Sequence, residues 1–315
     1  MSADRILVTG GAGFIGSHLV EALLENGYGV RVLDDLSTGK LANLPVDRAH
    51  LSLIVGDVAD APTVERALKD CSAVVHLAAV ASVQASVEDP IATHQSNFIG
   101  TLNICEAMRQ AGLRRVVFAS SAAIYGNNGE GSAITEDTPK APLTPYASDK
   151  LASEHFFDFY RRQHGLEPVI LRFFNIYGPR QDPSSPYSGV ISIFSERAQK
   201  HLPVTVYGDG EQTRDFVYVE DLVKVLVQAV KESEPSGEPV NVGFNRSTSI
   251  NELAATLSTL LGRPLALNYA APRSGDIRHS RADNQRLLER FRCTEPTCFA
   301  DGLGQLLRSL ESGDR

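Results

Sequence analysis

The sequence predicts an α/β protein built on a doubly wound parallel sheet, with a smaller C-terminal lobe. Short apolar runs, typical of strands buried on both faces, alternate with helical patterns. The runs occupy 6–9, 29–33, 51–55, 73–78, 115–119 and 168–174. A glycine-rich turn follows the first run, and the regular alternation stops near Gly178. We therefore expect the sheet in the first part of the chain and the smaller lobe after it.

The first strand leads directly into the glycine-rich turn. Ile6–Thr9 is followed by Gly10-Gly11-Ala12-Gly13-Phe14-Ile15-Gly16, and a helical pattern then runs to Gly27. Strand, glycine turn and helix form the dinucleotide fingerprint, because glycines let the backbone approach a pyrophosphate at the helix N-terminus. The second strand ends at Asp34. A carboxylate there accepts hydrogen bonds from the ribose hydroxyls and repels a 2′-phosphate, so the sequence predicts NAD rather than NADP. The alternative is that Asp34 is a solvated aspartate in a turn.

A tyrosine and a lysine four positions apart are the first candidates for catalysis. Thr144 has the features of a helix N-cap and Pro145 those of a first helical residue, so Tyr146 and Lys150 share one helix face. A free tyrosine titrates near pH ~10, and an adjacent ammonium is expected to lower that pKa. Tyr146 is therefore a candidate base. The same spacing also occurs on solvated helix faces, where Lys150 would be a surface lysine.

Composition argues against several classes of function. The net charge of −8 and the lack of a basic cluster argue against a nucleic-acid partner. No apolar run approaches ~18 residues and no signal peptide precedes the first strand, so neither a membrane span nor secretion is expected. The four cysteines, Cys71, Cys105, Cys293 and Cys298, lack metal-site spacing, and no metal is predicted. Cys293 and Cys298 could pair, but we expect a reduced, cytoplasmic protein.

Further motifs follow one another along the chain. In order they are Gly10-x-x-Gly13-x-x-Gly16, Asp57 after Ile54-Val55-Gly56, His76-Leu77-Ala78-Ala79, Ser120-Ser121-Ala122-Ala123-Ile124-Tyr125-Gly126, Tyr146-x-x-x-Lys150 and Arg214-Asp215-Phe216-Val217-Tyr218-Val219-Glu220-Asp221. In this order they resemble the extended short-chain dehydrogenase/reductase family and, within it, the NAD-dependent nucleotide-sugar epimerases. The resemblance runs from Gly10 to about Ser280. It implies a Rossmann domain over 1–177 with a returning segment near 215–243, and a lobe over 178–315 that mainly binds a UDP-sugar.

The resemblance implies an NAD site and a catalytic group. The implied cofactor contacts are Gly10, Gly13, Phe14, Ile15, Gly16, Asp34, Asp57, Val58, Ala78 and Ala79, together with Tyr146 and Lys150. Tyr146, as phenolate, would remove a proton from a sugar hydroxyl while the carbon that bears it gives hydride to the nicotinamide. Lys150 would hold the nicotinamide ribose, and Ser121 would hydrogen-bond the same hydroxyl. Ser121 could instead be a cap at the end of its strand.

Substrate-binding residues are implied in the same way. Asn175 resembles the asparagine that contacts the substrate, and Tyr207 resembles the residue that lies against the uracil. Arg214 and Arg273 match phosphate-binding arginines, whose planar guanidinium groups fit pairs of phosphate oxygens. Each position keeps an alternative: a turn residue for Asn175, a core aromatic for Tyr207, and pairing with a nearby acid for the arginines.

The residues after the fifth strand favour epimerisation. Family members that dehydrate a sugar carry an Asp-Glu pair in this segment, whereas this chain has Ser121-Ala122-Ala123. Reversible oxidation at C4, with return of the hydride to the other face, needs only Tyr146, Ser121, Lys150 and bound NAD. The resemblance therefore implies a UDP-sugar 4-epimerase with tightly held NAD. A non-catalytic NAD-binding regulator with the same fold is the alternative from a different class.

One position is implied to select the sugar. Shortly after an Arg-x-Gly-Asp motif, a tyrosine closes over the C2 substituent in enzymes confined to glucose and galactose, and Ser280 matches it here. A small side chain leaves room for an N-acetyl group. We therefore expect interconversion of UDP-N-acetylglucosamine and UDP-N-acetylgalactosamine, with UDP-glucose and UDP-galactose as one alternative. A UDP-uronate, the other alternative, would need a cation near C6, such as Arg180 or Arg278; no role follows from the sequence for His279.

The resemblance also implies a homodimer. It would form through a four-helix bundle of two helices per subunit, here about 94–111 and 145–164. The second helix carries Phe156, Phe157, Phe159 and Tyr160, which is more aromatic surface than one core face needs. The alternative is that these rings pack on their own sheet.

Overall fold

The computed structural model describes residues 4–128, 131–183, 189–232, 235–272, 277–293 and 295–312. The chain forms two compact units. Unit 1 contains the chain up to Ile124, then Pro142–Arg172 and Val223–Val240; unit 2 contains Tyr125–Ala141, Phe173–Leu222 and the chain from Asn241 onward. Each unit is therefore assembled from three separate stretches of sequence.

Strands and helices alternate through most of the chain. In chain order the strands are β1 (Arg5–Thr9), β2 (Gly29–Asp34), β3 (Leu51–Val55), β4 (Ala73–His76), β5 (Arg115–Ser121), β6 (Glu167–Phe173), β7 (Asn175–Tyr177), β8 (Val204–Tyr207), β9 (Thr213–Arg214), β10 (Phe216–Tyr218), β11 (Val240–Val242), β12 (Thr248–Ser249) and β13 (Leu267–Ala270). The helices are α1 (Phe14–Glu25), α2 (Ala61–Leu68), α3 (Val83–Glu88), α4 (Pro90–His94), α5 (Gly100–Ala111), α6 (Pro145–His164), α7 (Val190–Gln199), α8 (Val219–Lys231), α9 (Ile250–Leu260), α10 (Gln285–Arg290) and α11 (Phe299–Ser312).

The doubly wound parallel sheet predicted from the sequence is confirmed. Seven strands form one sheet in the order β11-β6-β5-β4-β1-β2-β3. β1 pairs in parallel with both β2 and β4, so the direction of winding changes beside β1. This is the point at which α/β sheets bind ligands, at the carboxyl ends of the strands. The apolar run 73–78 extends beyond β4, because the amides of Leu77 and Ala78 turn aside to bond the Thr9 hydroxyl.

The helices cover the sheet with their apolar sides. One core joins Leu7, Val74 and Phe118 of the strands to Met108 of α5 and Phe157 of α6, and all five side chains are fully buried. Burying large apolar side chains of this kind contributes roughly 1.5–3 kcal/mol each relative to exposing them. This core holds α6 against β5, and both elements carry predicted catalytic residues.

Both helices predicted for the bundle are present, with one difference in length. α6 begins and ends as predicted: the Thr144 hydroxyl accepts a hydrogen bond from the Ala147 amide at 3.3 Å, and Gly165 ends the helix with a φ of +69°. The other helix starts earlier than 94, at Pro90, and passes through a π-helical turn at Gln95–Ile99 before α5.

Unit 2 is built from small sheets and helices. β7 pairs with β10, β9 with β12 and β8 with β13, each as a two-stranded sheet. The β9–β12 pair is antiparallel, and the other two are parallel. These short strands present their ends, at Asn175, Tyr207 and Arg214, to one cavity described below.

The described part of the chain has no helix long and apolar enough to cross a membrane. Within the same residues, no group of three or more His, Cys, Asp or Glu side chains could hold a metal ion. None of Cys71, Cys105, Cys293 and Cys298 forms a disulfide, so Cys293 and Cys298 are not paired with each other.

Candidate active site

The turn between β1 and α1 requires glycine at two positions. Gly10 has a φ of +68°, and a Cβ there would lie 2.8 Å from the backbone nitrogen of Ala78. A Cβ on Gly16 would lie 2.1 Å from the carbonyl oxygen of Gly10. α1 begins at Phe14, and its N-cap, Gly13, offers no side-chain hydrogen bond to the first amides. The first turn of α1 therefore presents N–H groups and the positive end of the helix dipole, which fits the pyrophosphate of NAD.

Asp34 lies at the carboxyl end of β2 and is 6% exposed. Its Oδ2 accepts a hydrogen bond from the Ala12 amide at 2.9 Å, and its Oδ1 accepts one from the Leu36 amide, also at 2.9 Å. Burial raises the pKa of Asp34, and these two hydrogen bonds oppose the rise. The carboxylate thus fastens the glycine turn to β2, and each oxygen has a further lone pair for a ribose hydroxyl.

The other predicted cofactor contacts lie near the same edge of the sheet. Ile15 is the second residue of α1. Asp57 and Val58 follow the end of β3; Asp57 is exposed and Val58 is buried. Ala78 and Ala79 follow β4 and are partly exposed. Because neighbouring parallel strands end at the same edge, these positions surround the start of α1.

A buried hydrogen-bond chain connects β1 to α6. Thr9 Oγ1 lies 2.7 Å from His76 Nδ1, and His76 Nε2 lies 3.1 Å from Thr101 Oγ1. The Thr101 hydroxyl donates its hydrogen to the Asn97 carbonyl at 2.6 Å, so Thr101 Oγ1 must accept a hydrogen bond from His76 Nε2. The other ring nitrogen, Nδ1, therefore accepts a hydrogen bond from the Thr9 hydroxyl. Burial lowers the pKa of His76 to about 3, which keeps the ring neutral in this tautomer. Ser153 of α6 continues the chain, with its Oγ 3.4 Å from Thr101 Oγ1.

Ser121, Tyr146 and Lys150 come together at the end of β5. Tyr146, the second residue of α6, is 9% exposed and forms a hydrogen bond with the Ser121 side chain. Lys150 lies one turn further along α6, with its Nζ 5.9 Å from the centroid of the Tyr146 ring. The same Nζ donates to the Ala119 carbonyl at 2.7 Å. Lys150 is buried, so it is not a surface lysine.

The expected effect of Lys150 on Tyr146 is wrong for this structure, because the pKa of Tyr146 is raised. Burial of the phenol dominates, and the hydrogen bond with Ser121 opposes it only in part. Burial also lowers the pKa of Lys150 to about 8, against the opposing charges of Asp149 and Glu154. The ammonium is therefore held below about pH 8 and lost above it.

The sequence did not identify the two carboxylates that support Lys150. Glu154 accepts hydrogen bonds from Arg172 Nε at 2.9 Å and Nη2 at 2.7 Å. Asp149 Oδ1 lies 2.7 Å from His94 Nδ1. Glu154 did have a local signal, because it follows Lys150 by four residues, the spacing of ion pairs along a helix. Arg172 lies on a different element and has no such signal.

A cavity of about 440 Å³ lies within unit 2. Three predicted substrate residues line it: Asn175 at the start of β7, Tyr207 at the end of β8 and Arg214 at the end of β9. The other lining residues are Val190, Ile193, Phe194, Arg197, Thr205, Gln212 and Ile250. Tyr207 is partly exposed in this lining and so is not simply a core aromatic.

The remaining predicted substrate residues are placed differently. Ser280 is 9% exposed, and its amide donates to the Thr213 carbonyl at 3.2 Å. It is therefore attached to the residue before Arg214, although it is not among the residues that line the cavity. Arg273 lies outside the residues that the structure describes.

The cavity also contains polar residues that the sequence did not single out. Arg197 of α7 donates from Nε to the Pro203 carbonyl at 2.7 Å. Gln212 donates from Nε2 to the Tyr207 carbonyl at 2.8 Å, which fixes the end of β8. A cation in a largely apolar helix was the available signal for Arg197, whereas Gln212 had none.

Arg278 and His279 make local contacts within unit 2. Arg278 forms an ion pair with Asp209 at 2.9 Å, and the two side chains are 52% and 54% exposed. His279 Nδ1 lies 3.1 Å from Thr213 Oγ1. These contacts hold the stretch before Ser280 beside β9.

Comparison with known proteins identifies what the chain resembles as a whole. The profile of the NAD dependent epimerase/dehydratase family matches residues 6–243. A putative UDP-glucose 4-epimerase of Methanocaldococcus jannaschii is 41% identical over 274 residues, which cover 86% of this chain and 87% of that protein.

Solved structures cover almost the whole chain. A UDP-N-acetylglucosamine 4-epimerase from Methanobrevibacter ruminantium, in complex with UDP-N-acetylmuramic acid, gives a TM-score of 0.93 at 36% identity, covering 99% of this chain and 100% of its own. The UDP-glucose 4-epimerase of Thermus thermophilus, in complex with NAD, gives 0.89 at 40% identity, covering 98% and 99%. One is named for an acetylated sugar and the other for glucose, so similarity alone does not select the sugar.

We expect Gly16→Ala to weaken NAD binding about tenfold or more, because overpacking by one methyl costs ~1–3 kcal/mol. The new Cβ would lie 2.1 Å from the Gly10 carbonyl, so the turn must move away from the position that receives the pyrophosphate. Calorimetric titration of NAD into protein freed of cofactor measures the effect. Gly29→Ala is the matched control, since its Cβ would lie 3.7 Å from the nearest atom, a side-chain carbon of Arg5. Equal affinity in the two variants would contradict the assignment of the turn.

Proposed function

This chain belongs to the NAD dependent epimerase/dehydratase family, and from that premise we propose that it interconverts UDP-N-acetylglucosamine and UDP-N-acetylgalactosamine. It is a UDP-sugar 4-epimerase that uses NAD, and the proposal adds the acetylated sugar. The reaction is supported chiefly by one observation: Tyr146 is hydrogen-bonded to Ser121, with the buried Lys150 one helical turn away.

Tyr146 is the proposed base for the C4 hydroxyl of the hexose. Ser121 already bonds the phenol and would bond the same hydroxyl, which fixes the direction of proton transfer. When bound, NAD accepts the hydride from C4 and returns it to the opposite face of the ring. Lys150 keeps a cation beside the phenol, and its bond to the Ala119 carbonyl fixes where that cation lies. Tyr146 then returns its proton to the 4-oxygen, so the net change is inversion at C4.

The turn after β5 supports epimerisation rather than loss of water. Ser121 is followed by Ala122 and Ala123, which begin a 3₁₀ turn that contains no acid. Elimination of water from a 4-keto sugar needs a second acid–base pair. A regulator without catalysis would have no use for a buried lysine beside a buried tyrosine, so Lys150 also disfavours that alternative.

Unit 2 is the proposed site of UDP recognition. Arg214 would bind the diphosphate, and its Nη1 donates to the Thr213 carbonyl at 2.9 Å, which helps to orient the guanidinium. The ring of Tyr207 would pack against the uracil, and the side-chain amide of Asn175 would hydrogen-bond the sugar. Arg273 is the proposed second ligand of the diphosphate.

Ser280 supports the acetylated sugar. A hydroxymethyl group at this position occupies far less volume than a tyrosine ring and leaves room at C2. UDP-glucose and UDP-galactose are smaller at C2 and would fit the same space. A UDP-uronate would need a cation near C6, and Arg278, one candidate, is already paired with Asp209. We propose the acetylated pair as the preferred substrate because Ser280 leaves room for the N-acetyl group.

We expect Tyr146→Phe to lower kcat by about 10²–10⁴-fold, the usual contribution of a positioned acid–base group. The ring is kept, so NAD content and UDP affinity should stay within about twofold of wild type, well under the tenfold that ~1.4 kcal/mol represents. Turnover is measured by NMR of the sugar products, and NAD content by absorbance after denaturation. Wild-type kcat in this variant would overturn the role of Tyr146.

We expect Ser280→Tyr to abolish turnover of UDP-N-acetylglucosamine while sparing UDP-glucose. The added ring fills the space proposed for the N-acetyl group, and overpacking costs ~1–3 kcal/mol. Both substrates are assayed by NMR with the same preparation, so UDP-glucose serves as the internal control. An equal loss for the two sugars would show that Ser280 does not select at C2.

The wild type distinguishes the remaining substrates when it is assayed without added cofactor. Preferential conversion of UDP-N-acetylglucosamine supports the proposal and tight retention of NAD together. Conversion of UDP-glucose alone keeps the mechanism and removes the role of Ser280, and preferential conversion of UDP-glucuronate replaces the proposed substrate.

Two copies of this chain are also proposed to associate through unit 1. α6 divides its aromatic side chains between two faces: Phe157 and Tyr160 are buried, whereas Phe156 and Phe159 are 38% and 47% exposed. Phe98, from the π-helical turn, packs edge-on against Phe156 with 5.2 Å between ring centroids. Apolar surface from both helices of the predicted bundle is thus exposed side by side.

We expect Phe159→Glu to convert a dimer to a monomer in sedimentation, because a charge buried in an apolar interface is costly. Leu288→Glu is the matched control: Leu288 is 43% exposed but lies on α10 of unit 2. A dimer that survives Phe159→Glu, or a wild type that sediments as a monomer, would refute this interface.

A further inference from the structure

The Asp215 carboxylate is completely buried between β9 and β10. Its Oδ1 accepts a hydrogen bond from the Phe244 amide at 3.1 Å, and its Oδ2 accepts from the amides of Asn245 at 3.0 Å and Ala282 at 3.1 Å. The Arg246 amide donates to it as well. Burial raises the pKa of Asp215, and the four amide bonds oppose the rise. One side chain thus ties residues 244–246 and Ala282 to the junction of two strands.

The segments that meet at Asp215 carry three of the proposed substrate residues. Arg214 directly precedes it in the chain. The backbone amide of Asn175 donates a hydrogen bond to the Asp215 carbonyl at 3.1 Å. Ser280 lies two residues before Ala282, and its amide donates to the Thr213 carbonyl at 3.2 Å. Asn175 and Ser280 are therefore both attached to the stretch 213–215.

We propose that Asp215 is a positioning residue that holds Arg214, Asn175 and Ser280 in the arrangement that binds the UDP-sugar. The inference rests on the proposed function of unit 2. Asp215 itself touches no substrate atom in this account. Its backbone is continuous with Arg214, and its carbonyl accepts a hydrogen bond from the backbone amide of Asn175. Its carboxylate binds the amide of Ala282, two residues after Ser280.

The chemistry of the site requires a carboxylate. Four amide donors converge on Asp215, and an ionised carboxylate offers about four lone-pair positions and no donor. An asparagine has one oxygen and one NH₂ group in place of the two carboxylate oxygens. Whichever way its side chain is turned, the NH₂ group would face at least one of these amides, and two donors cannot bond each other. The buried amide left without an acceptor would then have to move, because an unsatisfied buried donor costs ~1–3 kcal/mol.

Asp221 offers a matched control in the same unit. It is also buried, and its Oδ2 accepts a hydrogen bond from the Thr297 amide at 2.7 Å. That bond ties α8 to the segment before α11 and does not involve Asn175, Arg214 or Ser280. Asp221→Asn therefore makes the same chemical change to a buried aspartate whose bond to Thr297 involves none of the proposed substrate residues.

The experiment compares Asp215→Asn, Asp221→Asn and wild type as full-length protein. We expect Asp215→Asn to weaken UDP binding in calorimetry and to raise KM for the UDP-sugar, each about tenfold or more. Its kcat and NAD content should stay close to wild type, because the catalytic group lies in unit 1. Asp221→Asn should lower the melting temperature without raising KM. A purely structural role for Asp215 would not raise KM while leaving kcat unchanged.

The outcomes separate this inference from the function on which it rests. Failure of wild type to bind UDP would overturn the proposed function. UDP binding by wild type and equal binding by Asp215→Asn would overturn the positioning role alone, as would a loss of kcat at unchanged KM. If Asp215→Asn does not fold, amide hydrogen exchange of wild type decides: UDP should increase protection at Asn245 and Ala282, and unchanged protection at both would refute the proposal.

Discussion

Burial of a lysine charge is the constraint around which unit 1 is organised. Lys150 is 4% exposed, and the loss of solvent that lowers its pKa to about 8 would neutralise it further without compensation. Compensation comes from the Ala119 carbonyl, 2.7 Å away, and from the charges of Asp149 and Glu154. Each of these groups must be held in turn, which fixes α6 against β5 and aligns Tyr146 with Ser121.

The glycine-rich turn after β1 and helix α6, which carries the proposed base Tyr146, are connected by hydroxyl groups rather than by charges. The Thr9 hydroxyl accepts hydrogen bonds from the two amides that follow β4 and donates one to His76. His76 in turn donates a hydrogen bond to the Thr101 hydroxyl. Ser153 approaches Thr101 and donates to the Asp149 carbonyl at 2.8 Å, so the chain ends on the residue before Lys150. Because His76 is neutral, this chain adds no charge to the field around Lys150. The proposed cofactor site and the proposed base can therefore be positioned together without adding a charge near Tyr146.

The sequence predicted what depends on neighbours in the chain. The start of α6 follows from Thr144 and Pro145, and the parallel strands follow from short apolar runs. It could not predict what depends on folding distant segments together. Spacing alone suggested that Lys150 lowers the pKa of Tyr146, whereas burial, a property of the whole unit, raises it. Arg172 and the seventh strand, β11, were missed for the same reason: their partners lie far away in sequence.

The two units stabilise buried anions in different ways, and the difference suits their proposed tasks. In unit 1, Glu154 is paired with Arg172, so its charge is balanced locally and Lys150 remains the cation beside Tyr146. In unit 2, four backbone amides solvate Asp215. Amide dipoles stabilise an anion without bringing a counter-cation, so the adjacent Arg214 is not required to neutralise it. Arg214 directs an N–H group to the Thr213 carbonyl, and we propose that its guanidinium binds the diphosphate. Replacing the amides around Asp215 by a salt bridge to Arg214 would stabilise the same carboxylate and remove the charge on which anion recognition depends.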